Sequence, residues 1–354
     1  MADGASVPAL PLDGALRLSD ALEIVPSPYA LERFSPLTGQ AFLLVDFADD
    51  PDDPGPLRTS AFRTALEQLP CATVAICPEA TEATAALADR FDVVVADPAE
   101  ALAVIGGIEA SPLAATALVQ LLRQGDHLGL NDPLGLHHAL VAESLVYSTL
   151  QSGPEFAAWL ASRPAAKAAE PEAGPAVRIE RWDRELVISL NRPRRHNAFS
   201  VEMRDALVES LQLAVADTAI ERVVLRGEGP SFSSGGDLAE FGALPDPATA
   251  HGVRSTRHPA RLLIRCADRV EARVHGACIG AGIELPAFVS RVVAAPGAFF
   301  QLPELSMGLV PGAGGTASLP RRIGRHRTAW LAITGKQVDV DAALRWGLVD
   351  EVRA

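Results

Sequence analysis

Two glutamates stand among small and apolar residues, where a solvated carboxylate is out of place. Glu284 lies in His275-Gly-Ala-Cys-Ile-Gly-Ala-Gly-Ile-Glu-Leu285, and Glu304 in Gln301-Leu-Pro-Glu-Leu-Ser-Met-Gly-Leu-Val-Pro-Gly-Ala-Gly-Gly-Thr316. A third glycine-rich stretch, Pro230-Ser-Phe-Ser-Ser-Gly-Gly-Asp-Leu238, precedes them. A pair of carboxylates in an apolar cleft suits acid and base work, because desolvation and the neighbouring like charge raise at least one pKa toward neutrality. The bland alternative is an ordinary surface carboxylate, where most glutamates lie. Taken singly, each glycine cluster says only that the backbone turns tightly or is closely approached.

The elements that must position these residues can be read around them. Val177–Trp182 and Leu186–Leu190 alternate apolar and polar residues across Asp183–Glu185, a hairpin pattern. Ser200 to Ala216 sets Met203, Leu207, Leu211 and Val215 four apart, which predicts an amphipathic helix with Ser200 as its N-cap. Val223–Leu225 reads as a buried strand leading into the loop Gly227–Gly236, and strand, helix, strand, loop recurs through Ala272–Ser290, Val292–Ala294 and Gly312 onward. The class is α/β with right-handed crossovers. Glu284 falls three residues after Ala281, nearly one helical turn, so the two share a face. Pro286 threatens that helix with a late start or a kink.

The three stretches, in this order and spacing, resemble the enoyl-CoA hydratase/isomerase (crotonase) superfamily from Val177 to the end of the chain. The resemblance implies the ββα spiral of the ClpP/crotonase fold. It implies an oxyanion hole from the backbone N–H groups of Gly236 and Ala281, which would stabilise the enolate of a coenzyme A thioester. In hydratases of the family both carboxylate positions are glutamate and together add water across a double bond. The implied assignment is therefore an enoyl-CoA hydratase, a lyase, with Glu284 activating water and Glu304 supplying the proton. The stretch Asn191-Arg-Pro-Arg-Arg-His-Asn-Ala198 matches the segment that runs along the coenzyme. Arg194, Arg195, His196 and Ala198 are thus expected along the coenzyme A chain, with the arginines on phosphates. Ser234, Asp237, Leu238, Gly280, Pro303 and Gly312 are expected around the substrate. Coenzyme A is part of the substrate and no separate cofactor is implied. Rival readings are isomerisation, dehydration or thioester hydrolysis on the same site, or a non-catalytic partner subunit. His275 is read as a structural histidine, since no nucleophile is placed for it to activate.

The segment Arg163–Pro175, rich in Ala, Pro and Glu, reads as a linker. The expected domains are 1–165, a linker at 166–175, and a catalytic domain at 176–354 lacking the family's usual C-terminal helices. In the first, Ala41–Phe47, Ala72–Ile76 and Phe91–Val95 look like strands, Ser60–Gln68 like a helix, and Ser111–Gln124 and Pro133–Ser162 look helical. Those last helices resemble the ones the catalytic part lacks, so 1–165 is read as a degenerate crotonase-like unit whose end covers the site. The alternative is an unrelated helical accessory domain. A net charge of −13 argues against a nucleic-acid surface. The four cysteines show no metal-ligand spacing and read as reduced core residues, and no metal site is expected. With no signal-peptide pattern and no membrane-length apolar run, a cytoplasmic homo-oligomer, a trimer or hexamer as is usual in the family, is the expectation.

Overall fold

In the computed structural model, residues 14–48, 56–78, 82–163, 172–243 and 246–353 are described. Most of the expected linker, 164–171, lies outside them. The chain forms two compact units, Met1–Val119 and Gln120–Ala354, so the division falls ahead of the expected linker.

The first unit holds a parallel four-stranded sheet, β1 (Leu16–Arg17), β2 (Phe42–Asp46), β3 (Ala72–Ile76) and β4 (Val93–Val95), in that order. Helices α1 (Leu18–Ile24), α2 (Ala30–Arg33), α3 (Pro56–Gln68), α4 (Glu82–Ala88) and α5 (Pro98–Ala110) connect or follow the strands. β2, β3 and β4 are buried almost throughout, as parallel strands covered on both faces must be, and only the edge strand β1 is not. Phe34, Phe62 and Phe91 fill the core beside them.

The second unit begins within α6 (Pro112–Leu128) and continues with α7 (Pro133–Gln151) and α8 (Pro154–Ser162). Asp132 caps α7 by accepting from the N–H groups of Leu134 and Gly135, with Pro133 at the first helical position where its missing N–H costs nothing. A six-stranded sheet follows, ordered β13 (Glu351–Val352), β10 (Arg291–Ala294), β8 (Val270–Val274), β7 (Arg222–Gly227), β6 (Glu185–Leu190) and β5 (Val177–Trp182). Only β5–β6 pairs antiparallel, across the hairpin that Asp183 turns at φ 52°. A smaller sheet is ordered β12 (Val338–Asp339), β11 (Phe299–Gln301) and β9 (Ala277–Ile279). The helices are α9 (Val201–Ala216), α10 (Pro247–Thr256), α11 (Pro259–Cys266), α12 (Ala281–Glu284), α13 (Gly315–Thr334) and α14 (Val340–Trp346). Ser200 caps α9 as its spacing predicted, its hydroxyl accepting from the Met203 N–H.

Each turn of this unit leaves the large sheet and enters the small one. β8 passes through the His275–Gly276 corner into β9, and β10 passes through a turn into β11. The loop after β7 joins the same layer, where Ser233 bridges Cys278 and Ile279 pairs with Gln301 in parallel register. Parallel strands held in register present their C-terminal ends side by side. The residues just beyond those ends, Gly236, Ala281 to Glu284, and Glu304, are thereby delivered to one place. All four cysteines are buried. No single described helix is long and apolar enough to cross a membrane.

Candidate active site

Gly236, Ala281, Glu284 and Glu304 all line one cavity of about 450 Å³, together with Ser234, Leu238, Pro303 and Gly312. The Gly236 and Ala281 N–H groups donate to no other described residue. Two N–H groups without partners on small residues at one cavity wall are what a developing oxyanion needs. The helix expected from Gly280 is a single turn: α12 ends at Glu284, and Pro286 heads a separate 3-10 turn, Pro286–Phe288. The positive potential at Ala281 therefore comes from its own unpaired N–H rather than from a long helix.

Glycine at 280 is required by its backbone: a φ of +51° is costly for other residues, and a Cβ there would also displace the end of the Glu304 side chain. The clusters around Gly312 and Gly315 have a steric cause instead. A Cβ at 312 would meet the Tyr147 ring at 2.4 Å, and one at 315 would meet the Glu284 Cγ at 2.7 Å.

Glu284, 1% exposed, is held by the start of α13, where Oε2 accepts from the N–H groups of Ala313 at 2.7 Å and Gly315 at 2.8 Å. Its Oε1 takes no hydrogen bond from a described residue. Glu304 opens the 3-10 turn Glu304–Met307, and its buried Oε2 has no hydrogen-bond partner among the described residues. One oxygen of each carboxyl thus has no hydrogen-bond partner among the described residues.

A third buried carboxylate was not foreseen. Glu143 of α7 takes the N–H groups of Gly314 at 2.7 Å and Thr316 at 2.9 Å, and the Thr316 hydroxyl at 2.7 Å. The four N–H groups from 313 to 316, orphaned at a helix start, are shared between Glu143 and Glu284. A signal existed in the sequence: Leu136, Leu140, Glu143 and Tyr147 follow helical spacing, so the glutamate sits on the buried stripe of α7. Tyr147, one turn on, lines the cavity, and burial pushes its phenol pKa up, so it stands there as a neutral hydroxyl.

Burial dominates the titration of all three acids. It pushes Glu143 and Glu304 up to about 7, the latter helped by the charge of Glu143, and raises Glu284 well above the usual carboxylate range with help from Glu304 and Glu143. Carboxyls whose folded pKa exceeds the unfolded value contribute stability that is complete below the unfolded pKa and fades as pH rises through the folded one. The urea midpoint is therefore expected to fall between pH 5 and pH 8. Of the groups held low, Asp217, Asp246, Glu271 and Glu351 act only below that window, whereas His258, kept unprotonated by burial, opposes the fall up to its ordinary pKa as one group against three. Glu143→Gln should flatten the fall, read as the difference between midpoints at the two pH values; an unchanged slope would contradict the assignment.

The expected coenzyme residues divide. Arg194, Arg195, His196 and Ala198 do not line the cavity, and neither do Asp237 and Gly280. Arg194 and Arg195 form the 3-10 turn Pro193–Arg195, and Arg195 is ion-paired to Asp237, so its charge is already met within the protein. The Asp237 side chain also caps the turn Leu238–Glu240 by accepting from the Ala239 N–H. His196 Nδ1 meets the Ser231 hydroxyl at 2.9 Å. His275 makes a structural contact, Nε2 to the Gly229 carbonyl at 2.8 Å. Of the helices ahead of the expected linker, α7 lines the cavity through Tyr147 and α8 packs behind Phe241. Phe156 and Trp159 of α8 stack on each other and pack on Phe241, whose ring is where a Cβ at Gly236 would fall. No cluster of three or more His, Cys, Asp or Glu among the described residues is arranged to hold a metal.

The family profile for enoyl-CoA hydratase/isomerase matches residues 185–354. The 2,3-dehydroadipyl-CoA hydratase of Escherichia coli K12 is 35% identical over 174 residues, which is 49% of this chain and 68% of that one. The 1,2-epoxyphenylacetyl-CoA isomerase of the same organism is 36% identical over 47% of this chain and 65% of its own length. A solved enoyl-CoA hydratase from Thermoplasma volcanium GSS1 is 35% identical, covers 51% of this chain and 72% of that one, and superposes with a TM-score of 0.47. The chain thus spans about two thirds of the length of these relatives. With the spiral turns, the paired N–H donors and the glutamates already in place, this match completes the assignment: the chain belongs to the enoyl-CoA hydratase/isomerase (crotonase) family.

Proposed function

We propose that this protein adds water across the double bond of a 2-enoyl-coenzyme A thioester. The observation that carries this reading is the pair of buried glutamates, each with one unengaged oxygen, on the same cavity as two unpaired backbone N–H donors. The thioester oxygen accepts from Gly236 and Ala281. Glu284 as carboxylate removes a proton from water, whose oxygen bonds to Cβ while the π electrons move onto the thioester oxygen as an enolate. Glu304 as the acid gives its proton to Cα, and the carbonyl re-forms. The raised pKa values fit a pair sharing one proton between them, one member acid and one base. Coenzyme A enters as part of the substrate. In this reading α7 and α8 are the cover over the acyl group, and the relatives named for hydration or isomerisation of coenzyme A thioesters support the substrate class.

The test is optical. Incubation with a 2-enoyl-CoA should remove the absorbance of the conjugated thioester as hydration destroys the conjugation. Absorbance that instead grows from a 3-enoyl-CoA, with none lost from the 2-enoyl compound, would replace hydration by isomerisation.

A further inference from the structure

Three arginines line the cavity, and they are not equivalent. Arg204 pairs with Asp205, and Arg257 with both Asp205 and Glu209. Arg254, from α10, meets only neutral acceptors. Its guanidinium donates to the hydroxyls of Ser144 and Ser148 and to Gln151 Oε1, and it lies over the Tyr147 ring at 4.7 Å. Among the described residues no carboxylate lies within ion-pairing distance of it. The serines are spaced one helical turn apart on α7, so they hold the guanidinium over the tyrosine without cancelling its charge. The charge of Glu143 acts on it through space but does not pair with it, so the half-buried guanidinium keeps its hydrogen-bonding fork free of any carboxylate and able to meet one that enters the cavity.

The same wall adds a neutral donor. His258 is buried, its Nδ1 accepts from the Ala260 N–H at 3.3 Å, and burial with the charges of Arg261 and Arg254 keeps the ring unprotonated. The neutral ring then carries its proton on Nε2, which donates to no described residue. Arg254 also stands at the catalytic end of the cavity. Ser144 and Tyr147 flank it on the helix whose Glu143 caps the same start of α13 as Glu284. The arginines of the coenzyme-matching stretch, Arg194 and Arg195, lie off the cavity lining altogether.

We infer that Arg254, with His258 beside it, binds a carboxylate at the far end of the acyl chain, so that the substrate class is an ω-carboxyacyl thioester rather than a simple fatty acyl one. This rests on the thioester reading above and narrows it. An arginine fork suits a carboxylate because two parallel N–H groups match its two oxygens. The anionic partner has one other source, the phosphates of coenzyme A itself, and the experiment separates the two.

Calorimetric titration of the whole protein with saturated adipyl-CoA, glutaryl-CoA, hexanoyl-CoA and free coenzyme A measures binding without turnover. The acid-ended thioesters should bind roughly tenfold or more tightly than hexanoyl-CoA, as one charge-assisted contact supplies. Arg254→Gln should erase that preference and Arg254→Lys should keep part of it. Repeating the comparison with pantetheine thioesters, which lack the nucleotide phosphates, should leave the preference intact. Equal affinity for adipyl-CoA and hexanoyl-CoA in the unaltered protein would overturn the inference, whatever the variants do to folding. So would an Arg254→Gln protein that loses affinity for free coenzyme A and for both thioesters alike, because the guanidinium would then serve the phosphates. Failure of hydration with the binding preference intact would instead strike only the reaction assigned above.

Discussion

Glu284→Gln and Glu304→Gln should each lower kcat for hydration by a factor of about 10² to 10⁴, the usual contribution of a positioned acid or base. KM should change little, because neither change removes a contact made equally by ground and transition states. The geometry makes these clean substitutions. A glutamine at 284 keeps an amide oxygen to accept from Ala313 and Gly315, so the start of α13 stays capped, while the reacting oxygen becomes an NH₂ group unable to take a proton. At 304 the unpartnered Oε2 is the atom lost, and no internal hydrogen bond goes with it. The double variant should fall little further than the worse single one, since the two act in one event. Rates at the level of the unaltered protein in either single variant would remove the pair from the chemistry.

Ala281→Pro should cost about 10² to 10³ in kcat, corresponding to roughly 2.7 to 4 kcal/mol for one oxyanion donor. Ala281 is the first residue of α12, the helical position where proline is best tolerated, so the fold survives while the N–H is replaced by the ring Cδ, which takes both the donor and its room from the oxyanion. Because that N–H donates to no described residue, its loss breaks no internal hydrogen bond. Ala281→Gly, which keeps the donor, is the control and should stay within a few-fold of the unaltered rate. The comparison is made by steady-state kinetics with thermal melts to confirm folding, and a proline variant as fast as the glycine one would refute the donor role.

What could be read in advance was whatever depends on neighbours in the chain. The hairpin of Val177–Leu190, the Ser200 cap and the amphipathic α9 follow from spacing alone, since alternation and the helical repeat are local properties. Glu284 and Glu304 were legible because each lies a few residues past a strand end, within the glycine-rich turn that carries it. The ion pair made by Arg195 was not legible, for the complementary reason. Charge and proximity to a matching stretch say nothing of Asp237, far along the chain, which the fold brings to Arg195.

By itself, the sequence determined the local turns, the helix and strand periods, and the chemical types at the two carboxylate positions. Only the tertiary structure decided that α7 and α8, which precede the expected linker, belong to the unit that holds the site. It also set Glu143 beside Glu284 on the start of α13, backed Gly236 with Phe241 and the α8 aromatics, and left Arg254 on the cavity wall with no described carboxylate in ion-pairing distance. Those contacts join residues of great sequence separation, through burial and hydrogen bonds that no local pattern encodes. The electrostatics of the site, which follow from how deeply its three carboxyls are buried together, are therefore a property of the folded chain.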